Sequence, residues 1–263
     1  IAQGGVVILL GNGDGTLQPF ARTNVGPARA LATADFNHDG KADLLVACSP
    51  PNCDWCQLYY TNDTANRFLC VLPGNGDGTF QAPQYLLSPG SKACFYDVAA
   101  ADVNQEGQPD VLALDFSLWR TNANDTVWQK RILIFTNDGT GSFSTDLPSL
   151  VLPTAGEGPR AFTLAYLDET LEGGTNPPPN ATLDLVVANR DSATIDIFLN
   201  HGNLEFGDSG SPISLAVGDS PRDVAVADLN ADGHGDLLVV DRDEDVISVL
   251  PGLGDGLFDP AAF

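Results

Sequence analysis

Methionine is absent from the 263 residues, position 1 included, which agrees with a processed or partial chain. Basic residues are scarce: 12 Lys and Arg stand against 35 Asp and Glu, for a formal net charge of -23. A surface this acidic repels phosphate backbones, so nucleic-acid binding is excluded. No run of 18 apolar residues occurs, which excludes a transmembrane helix. No charged segment followed by an apolar stretch opens the chain, so any signal peptide is expected to be already gone. No long 3.6-residue periodicity appears, so helix content should be small. HExxH, GxSxG and phosphate-loop motifs are missing, which leaves enzyme signals weak. Disorder is excluded by a hydrophobic content of 43%. The length suits one large domain or two small ones, with an ample core.

What is present is a repeat. Residues 30–47 (ALATADFNHDGKADLLVA), 98–114 (VAAADVNQEGQPDVLAL), 162–188 and 224–240 (VAVADLNADGHGDLLVV) each read as apolar strand, acidic loop, apolar strand. Their loops open at Asp35, Asp102, Tyr166 and Asp228, 62 to 67 residues apart. A second pattern recurs out of phase at residues 6–17, 70–80, 132–143, 195–206 and 247–258, with turns such as Gly-Asn-Gly-Asp-Gly-Thr. Asn-Gly and Asp-Gly supply the positive φ of hairpin turns.

Each unit therefore reads as four antiparallel strands. The first carries small residues (Ala32, Ala34, Ala99, Ala101, Ala225, Ala227), as an inner strand crowded near an axis requires. The second is a continuous apolar run such as Leu44-Leu45-Val46-Ala47, covered on both faces. Four-stranded sheets stacked face to face around an axis meet both demands, so an all-β β-propeller is predicted. The expected layout is one domain over residues 1–263: a partial blade at 1–26, then complete repeats at about 27–92, 93–157, 158–219 and 220–263. Such a count implies part of a larger ring, or completion by strands from another chain.

The acidic excess has a solubility explanation and a sharper one, metal ligation, and placement decides between them. DFNHDGKAD, DVNQEGQPD and DLNADGHGD share D-x-N-x-[DE]-G-x-x-D. Oxygens at positions one, three, five and nine converge when Gly at position six permits a tight curl, and position seven offers its carbonyl. That is the ligand logic of calcium. The predicted ligands are Asp35, Asn37, Asp39, Asp43 and the carbonyl of Lys41; Asp102, Asn104, Glu106, Asp110 and the carbonyl of Gln108; Asp228, Asn230, Asp232, Asp236 and the carbonyl of His234. A fourth site around Asp168, Glu169 and Asp184 is interrupted by an insertion and has Tyr166 in first position. The alternative is an Asx-rich turn without metal. Three copies at equivalent positions favour calcium, because carboxylates so close together repel without a cation.

These loops and the G-N-G-D-G-T-F turns resemble the FG-GAP or VCBS repeat family, which includes the integrin α-subunit propeller and propeller lectins. The resemblance covers almost the whole chain. It implies a secreted or cell-surface calcium-binding propeller in adhesion or recognition, with a glycan or protein ligand and no catalysis. The rival readings are a structural subunit of an extracellular polymer and a polysaccharide lyase or hydrolase.

Cys48, Cys53, Cys56, Cys70 and Cys94 lie in one unit and the entry to the next. Disulfides are the expected use, two bonds and one odd thiol, with the pairing open. Antiparallel order puts the acidic loops and glycine-rich turns on one face of the units. The connections between second and third strands lie on the other. Two of these, residues 49–66 and 116–130, read as long insertions and hold Trp55, Tyr59, Tyr60, Phe116, Trp119 and Trp128; those near 190–193 and 242–245 are short and polar. Trp55, Tyr59, Tyr60, Trp119 and Trp128 are the candidate ligand platform. Asn62, Asn124 and Asn180 head N-x-T sequons and are candidate glycosylation sites.

Overall fold

The computed structural model describes residues 5–19, 21–48, 68–87, 93–122, 125–145, 147–168, 180–207 and 210–259, with backbone alone at 118–122 and 125–127. It is built from antiparallel sheets. β1 (Val6–Ile8) pairs with β2 (Ala21–Thr23). β3 (Ala28–Ala34), β4 (Asp43–Cys48), β5 (Phe68–Leu72) and β6 (Gln84–Leu87) form a four-stranded sheet in sequence order. β7 (Phe95–Ala101), β8 (Asp110–Asn122), β9 (Asp125–Phe135) and β10 (Leu150–Pro153) form the next, and β11 (Pro159–Ala165), β12 (Asp184–Asn189), β13 (Thr194–Phe198) and β14 (Ile213–Ala216) the third. β15 (Pro221–Ala227), β16 (Asp236–Asp241) and β17 (Val246–Leu250) form a three-stranded sheet; β18 (Gly252–Gly254) and β19 (Leu257–Phe258) make a small hairpin. The order is that of β-propeller blades, and the all-β expectation holds. The only helical turn among the described residues is a 3-10 turn at Arg190–Ser192, and no helix there is long and apolar enough to cross a membrane.

Two expectations need correction, and the turns add a finding. The last unit has three strands among the described residues, where four were expected. Residues 116–130 are strand over most of their length, because β8 and β9 run on as a long hairpin of 13 and 11 residues. Third and fourth strands do not flank the glycine-rich turn directly. The turn is closed by single bridges, Gly11 to Leu17, Gly74 to Phe80 and Asn200 to Phe206, and the fourth strand begins further on.

The chain divides into two compact units. One comprises Ile1–Ala101, Gln108–Gln129 and Leu133–Ser149; the other comprises Asp102–Gly107, Lys130–Ile132 and Leu150–Phe263. In the first unit β4 is buried along its whole length. Its period-2 alternation feeds two cores. Leu45 and Ala47 join Phe36, Leu69, Val71, Phe95, Val98, Val111, Ala113 and Phe135 on one face. Leu44, Val46 and Cys48 join Val6, Val25, Phe68, Cys70 and Leu72 on the other. In the second unit Val186, Ala188, Ile195 and Ile197 pack with Val224, Leu237, Val239 and Leu250. Each Val, Leu, Ile or Phe among them contributes about 1.5–3 kcal/mol by burial. The alanine-rich first strands pack side by side, β3 by β7 in the first unit and β11 by β15 in the second.

The turns reuse one hydrogen-bond pattern. In three of them an Asp Oδ1 accepts both the N–H and the hydroxyl of the Thr two residues on: Asp14 with Thr16, Asp77 with Thr79 and Asp138 with Thr140. The hydroxyl bond holds each carboxyl below its ordinary range. Gly76, Gly139 and Gly254 sit at φ 84, 83 and 78°. A Cβ there would come within 3.0 Å of Lys41, 3.2 Å of Gln108 and 3.0 Å of His234, the position-seven residues of the three acidic loops.

Candidate functional site

The three acidic loops adopt one conformation. Position four is left-handed in each (His38 φ 57°, Gln105 φ 63°, Ala231 φ 61°), as is the glycine at position six (Gly40 φ 80°, Gly107 φ 82°, Gly233 φ 89°). The N–H of Asp39 donates to Asp35 Oδ1 (3.1 Å) and Asn37 Oδ1 (3.0 Å), and the N–H of Gly40 to Asp35 Oδ2 (2.8 Å). In the second copy Glu106 donates to Asp102 and Asn104 at 3.1 Å each, and Gly107 to Asp102 at 2.7 Å. In the third, Asp232 donates to Asp228 (3.2 Å) and Asn230 (2.9 Å), and Gly233 to Asp228 (3.0 Å). Side-chain oxygens from positions one and three thus converge on a single N–H in every copy.

Position five turns forward. Asp39 Oδ1 accepts from the N–H of Lys41 (3.0 Å), and Asp232 Oδ1 from that of His234 (2.8 Å). Lys41 also sets its ammonium 3.1 Å from Asp39 Oδ2 and holds that carboxyl below its ordinary range. The N–H of His234 does the same for Asp232, helped by the amide of Asn230.

Position nine has a role that spacing alone does not suggest. Asp43 is buried, accepts from Phe36 N–H (3.0 Å) and Gly74 N–H (2.7 Å), and so ties the acidic loop to the turn after the third strand. Asp236 repeats this with Leu229 and Gly252, at 2.8 Å each. Buried Asp110 accepts from Asn137 N–H at 2.9 Å. Asp184 keeps the arrangement despite the insertion before it, accepting from Leu167 and Asn200 at 2.8 Å each. Burial, and secondarily the charge of Asp168, push Asp184 up to about 7. Asp168 is itself raised by burial, opposed by nearby His201 and reinforced by Asp255.

Among the described residues no three His, Cys, Asp or Glu gather into a metal-holding group. The donor set still fits calcium in kind. It consists of oxygens alone, paired at positions one and three, and each carboxylate oxygen that accepts one N–H retains a second lone pair.

Asparagines absent from the predicted site stitch successive repeats together. Asn137 Nδ2 donates to Phe36 O (2.8 Å) and Pro109 O (3.2 Å), within the first unit. Asn200 Nδ2 donates to Val103 O (2.8 Å) and Leu183 O (3.2 Å), within the second. Gly256 N–H reaches Leu167 O at 3.1 Å. The accepting carbonyls of Phe36, Val103 and Leu167 occupy position two of successive acidic loops. The only sequence signal was Asn in a glycine-rich turn, which reads as a φ preference.

Of the aromatic candidates, Trp128 is 42% exposed and stacks on Phe116, with centroids 4.7 Å apart and planes at 18°. Phe116 lies 5.8 Å from Tyr96, and the Arg29 guanidinium sits 3.9 Å over the Tyr96 ring. Trp119 falls on β8, and its side chain lies outside the described residues, as do Trp55, Tyr59, Tyr60, Asn62, Asn124 and Glu169. Asn180 is exposed at φ 72°, and its carbonyl accepts from Gln105 (2.8 Å). The Thr182 hydroxyl of that sequon donates to Asn200 O.

The cysteine expectation is overturned in part. Cys48 and Cys70 are free, buried thiols of one apolar core, and Cys48 Sγ donates to Val25 O at 2.9 Å. Three cysteines remain, enough for one bond within the chain where two were expected. Burial pushes both thiols up to about 12.

The family model of the FG-GAP-like repeat matches residues 1–46 and 180–239. Those segments include the first and last acidic loops and the β12–β13 hairpin within the third four-stranded sheet. No curated protein sequence matches the chain.

Proposed function

We propose that this chain of FG-GAP-like repeats is a secreted, calcium-binding recognition module, adhesive and non-catalytic, whose ligand is an extracellular glycan or protein. The observation that carries the recognition reading is the stack Arg29–Tyr96–Phe116–Trp128. Its buried members fix the ring of Trp128, while Trp128 stays 42% exposed. An immobilised indole presents an apolar face at little entropic cost, which suits a sugar ring or a protein hot spot.

Calcium would be held by Asp35, Asn37 and Asp39, by Asp102, Asn104 and Glu106, and by Asp228, Asn230 and Asp232, with the ninth-position carboxylate and position-seven carbonyl completing the first and third sets. The ion would supply charge neutralisation and a cross-link at each loop. Lys41, beside Asp39, is a built-in competitor in the first copy. A disulfide among Cys53, Cys56 and Cys94, or glycosylation at Asn180, would accord with export. The test is a glycan array in calcium, comparing wild type with Trp128→Ala and Trp119→Ala. Binding lost in Trp128→Ala supports the reading; wild-type binding that survives both substitutions, or none at all, removes it.

A second reading, a subunit of an extracellular polymer, is favoured by β17. Among the described residues it has one sheet partner, and Val246 and Ile247 are 45% and 64% exposed. Mass measurement across a dilution series decides: concentration-dependent oligomers support it, and a monomer throughout defeats it.

A further inference from the structure

One concave feature of the second unit stands out in a chain so poor in basic residues. A cavity of about 550 Å3 is lined by Arg190, Asp191, Asp219, Ser220, Arg242 and Asp243. Its lining is a repeat. Asn189 ends β12 and Arg190-Asp191 follow; Asp241 ends β16 and Arg242-Asp243 follow. The positions are equivalent, since Asn189 pairs with Pro159 and Thr194, and Asp241 with Pro221 and Val246. Ser220 adopts φ 69°, and its carbonyl accepts the N–H of Arg242 at 3.4 Å, which fixes the second Arg-Asp pair beside the connection from β14.

The charges are arranged unevenly. Arg190 is held by Asp191, with Nη2 and Nε both 2.6 Å from Oδ1. Arg242, Asp219 and Asp243 have no ion-pair partner among the described residues. A guanidinium and two carboxylates therefore line one cavity without an ion pair between them.

A ligand that covers these groups must offer acceptors to the guanidinium and donors to the carboxylates. A simple anion satisfies only Arg242 and meets Asp219 and Asp243, in a chain of net charge -23. A simple cation satisfies those carboxylates and leaves Arg242 without an acceptor. Neighbouring hydroxyls of a sugar are donor and acceptor at once, and they match the planar pairs of oxygens and N–H groups on Asp and Arg. The cavity volume falls in the range of small-molecule sites, about 300–1,000 Å3. We infer that this cavity is a subsite for an uncharged saccharide, with Arg242 as donor and Asp219 and Asp243 as acceptors. The inference rests on the recognition reading above and adds a contact made by hydrogen bonds where Trp128 offers stacking.

The experiment is titration of the intact, calcium-loaded chain, followed by 1H–15N spectra of the arginine Nε–H groups and the Ser220 and Arg242 amides. The probes are the methyl glycosides of glucose, mannose, galactose, fucose and N-acetylglucosamine, with sodium acetate as the simple anion. The expected result is saturable shifts with at least one glycoside and none with acetate. Arg242→Ala and Asp219→Asn, both at exposed positions, should weaken the binding about tenfold, the factor one charge-assisted hydrogen bond carries. Trp128→Ala should leave these shifts in place. Silence with every glycoside, acetate matching the glycosides, or unchanged affinity in Arg242→Ala overturns the proposal. A glycan array sensitive to Trp128→Ala together with silence at the cavity sinks the subsite and spares the recognition reading; the converse pattern does the reverse.

Discussion

Removing the Asn200 side chain should cost the second unit more than its size implies. Asn200 is buried, and its amide donates to Val103 O (2.8 Å) and Leu183 O (3.2 Å) while Oδ1 accepts from Gly202 N–H (3.0 Å). Asn200→Ala removes one hydrogen-bond partner from each of three backbone groups at once. A buried group left without its partner costs about 1–3 kcal/mol. With the longer Leu183 bond counted as weak, the loss comes to about 3 kcal/mol. For a chain of this size that lowers Tm by about 8 °C. The backbone bond from Asn200 N–H to Asp184 and the Thr182 hydroxyl bond to Asn200 O survive the substitution, so the loss isolates the amide. Asn200→Asp, which points an acceptor at two carbonyls, should be worse than Ala. Calorimetry gives the magnitude, and faster hydrogen exchange at Gly202 N–H gives the location. A melting point within about 1 °C of wild type, or unchanged exchange at Gly202, would refute the reasoning.

Other outcomes follow from the same geometry. Gly139→Ala should destabilise more than Gly40→Ala: both residues are left-handed, which costs an L-residue about 1–2 kcal/mol, but only Gly139 has a side chain, that of Gln108, within 3.2 Å of the added methyl; equal losses in chemical denaturation would contradict this. Cys48 and Cys70, pushed up to about 12 by burial, should escape alkylation in the native chain and react after unfolding, as peptide mass mapping would report. Asp184, raised to about 7, binds its proton more tightly folded than unfolded. Its contribution is therefore full below the unfolded value and lost as pH rises through about 7. In chelator, wild type should lose stability over that window more steeply than Asp184→Asn, and parallel curves would count against the shift.

The acidic loops could be read from the sequence because their chemistry is local: oxygens at fixed spacing around a glycine describe a closed turn before any tertiary contact exists. The sheets were legible for the same reason, since Leu44 to Ala47 form an uninterrupted apolar run that must be covered on both faces. The function of Asp43, Asp184 and Asp236 was not, because each also holds a partner in the turn after the third strand (Gly74, Asn200 and Gly252), 16 to 31 residues away. Left-handed Gln105 and Ala231 carry no local signal, as neither is a residue that favours that region, whereas His38 belongs to a type enriched there. Residues 116–130 were misread because polar, aromatic-rich strands that run beyond the core lack the apolar run that marked the others. The Arg-Asp pairs at 190–191 and 242–243 passed as short polar connections, since only pairing register places them around one cavity. Two cysteines expected to cross-link turned out to be core residues, a use that composition does not distinguish from bonding.

Differential scanning calorimetry of the intact chain, in calcium and in excess chelator, tests most directly whether the acidic loops are cation sites. If they are, chelation lowers Tm markedly, calcium restores it, and Asp228→Ala diminishes the calcium-dependent gain. Superimposable melting curves in calcium and chelator would show that hydrogen bonds alone close these loops.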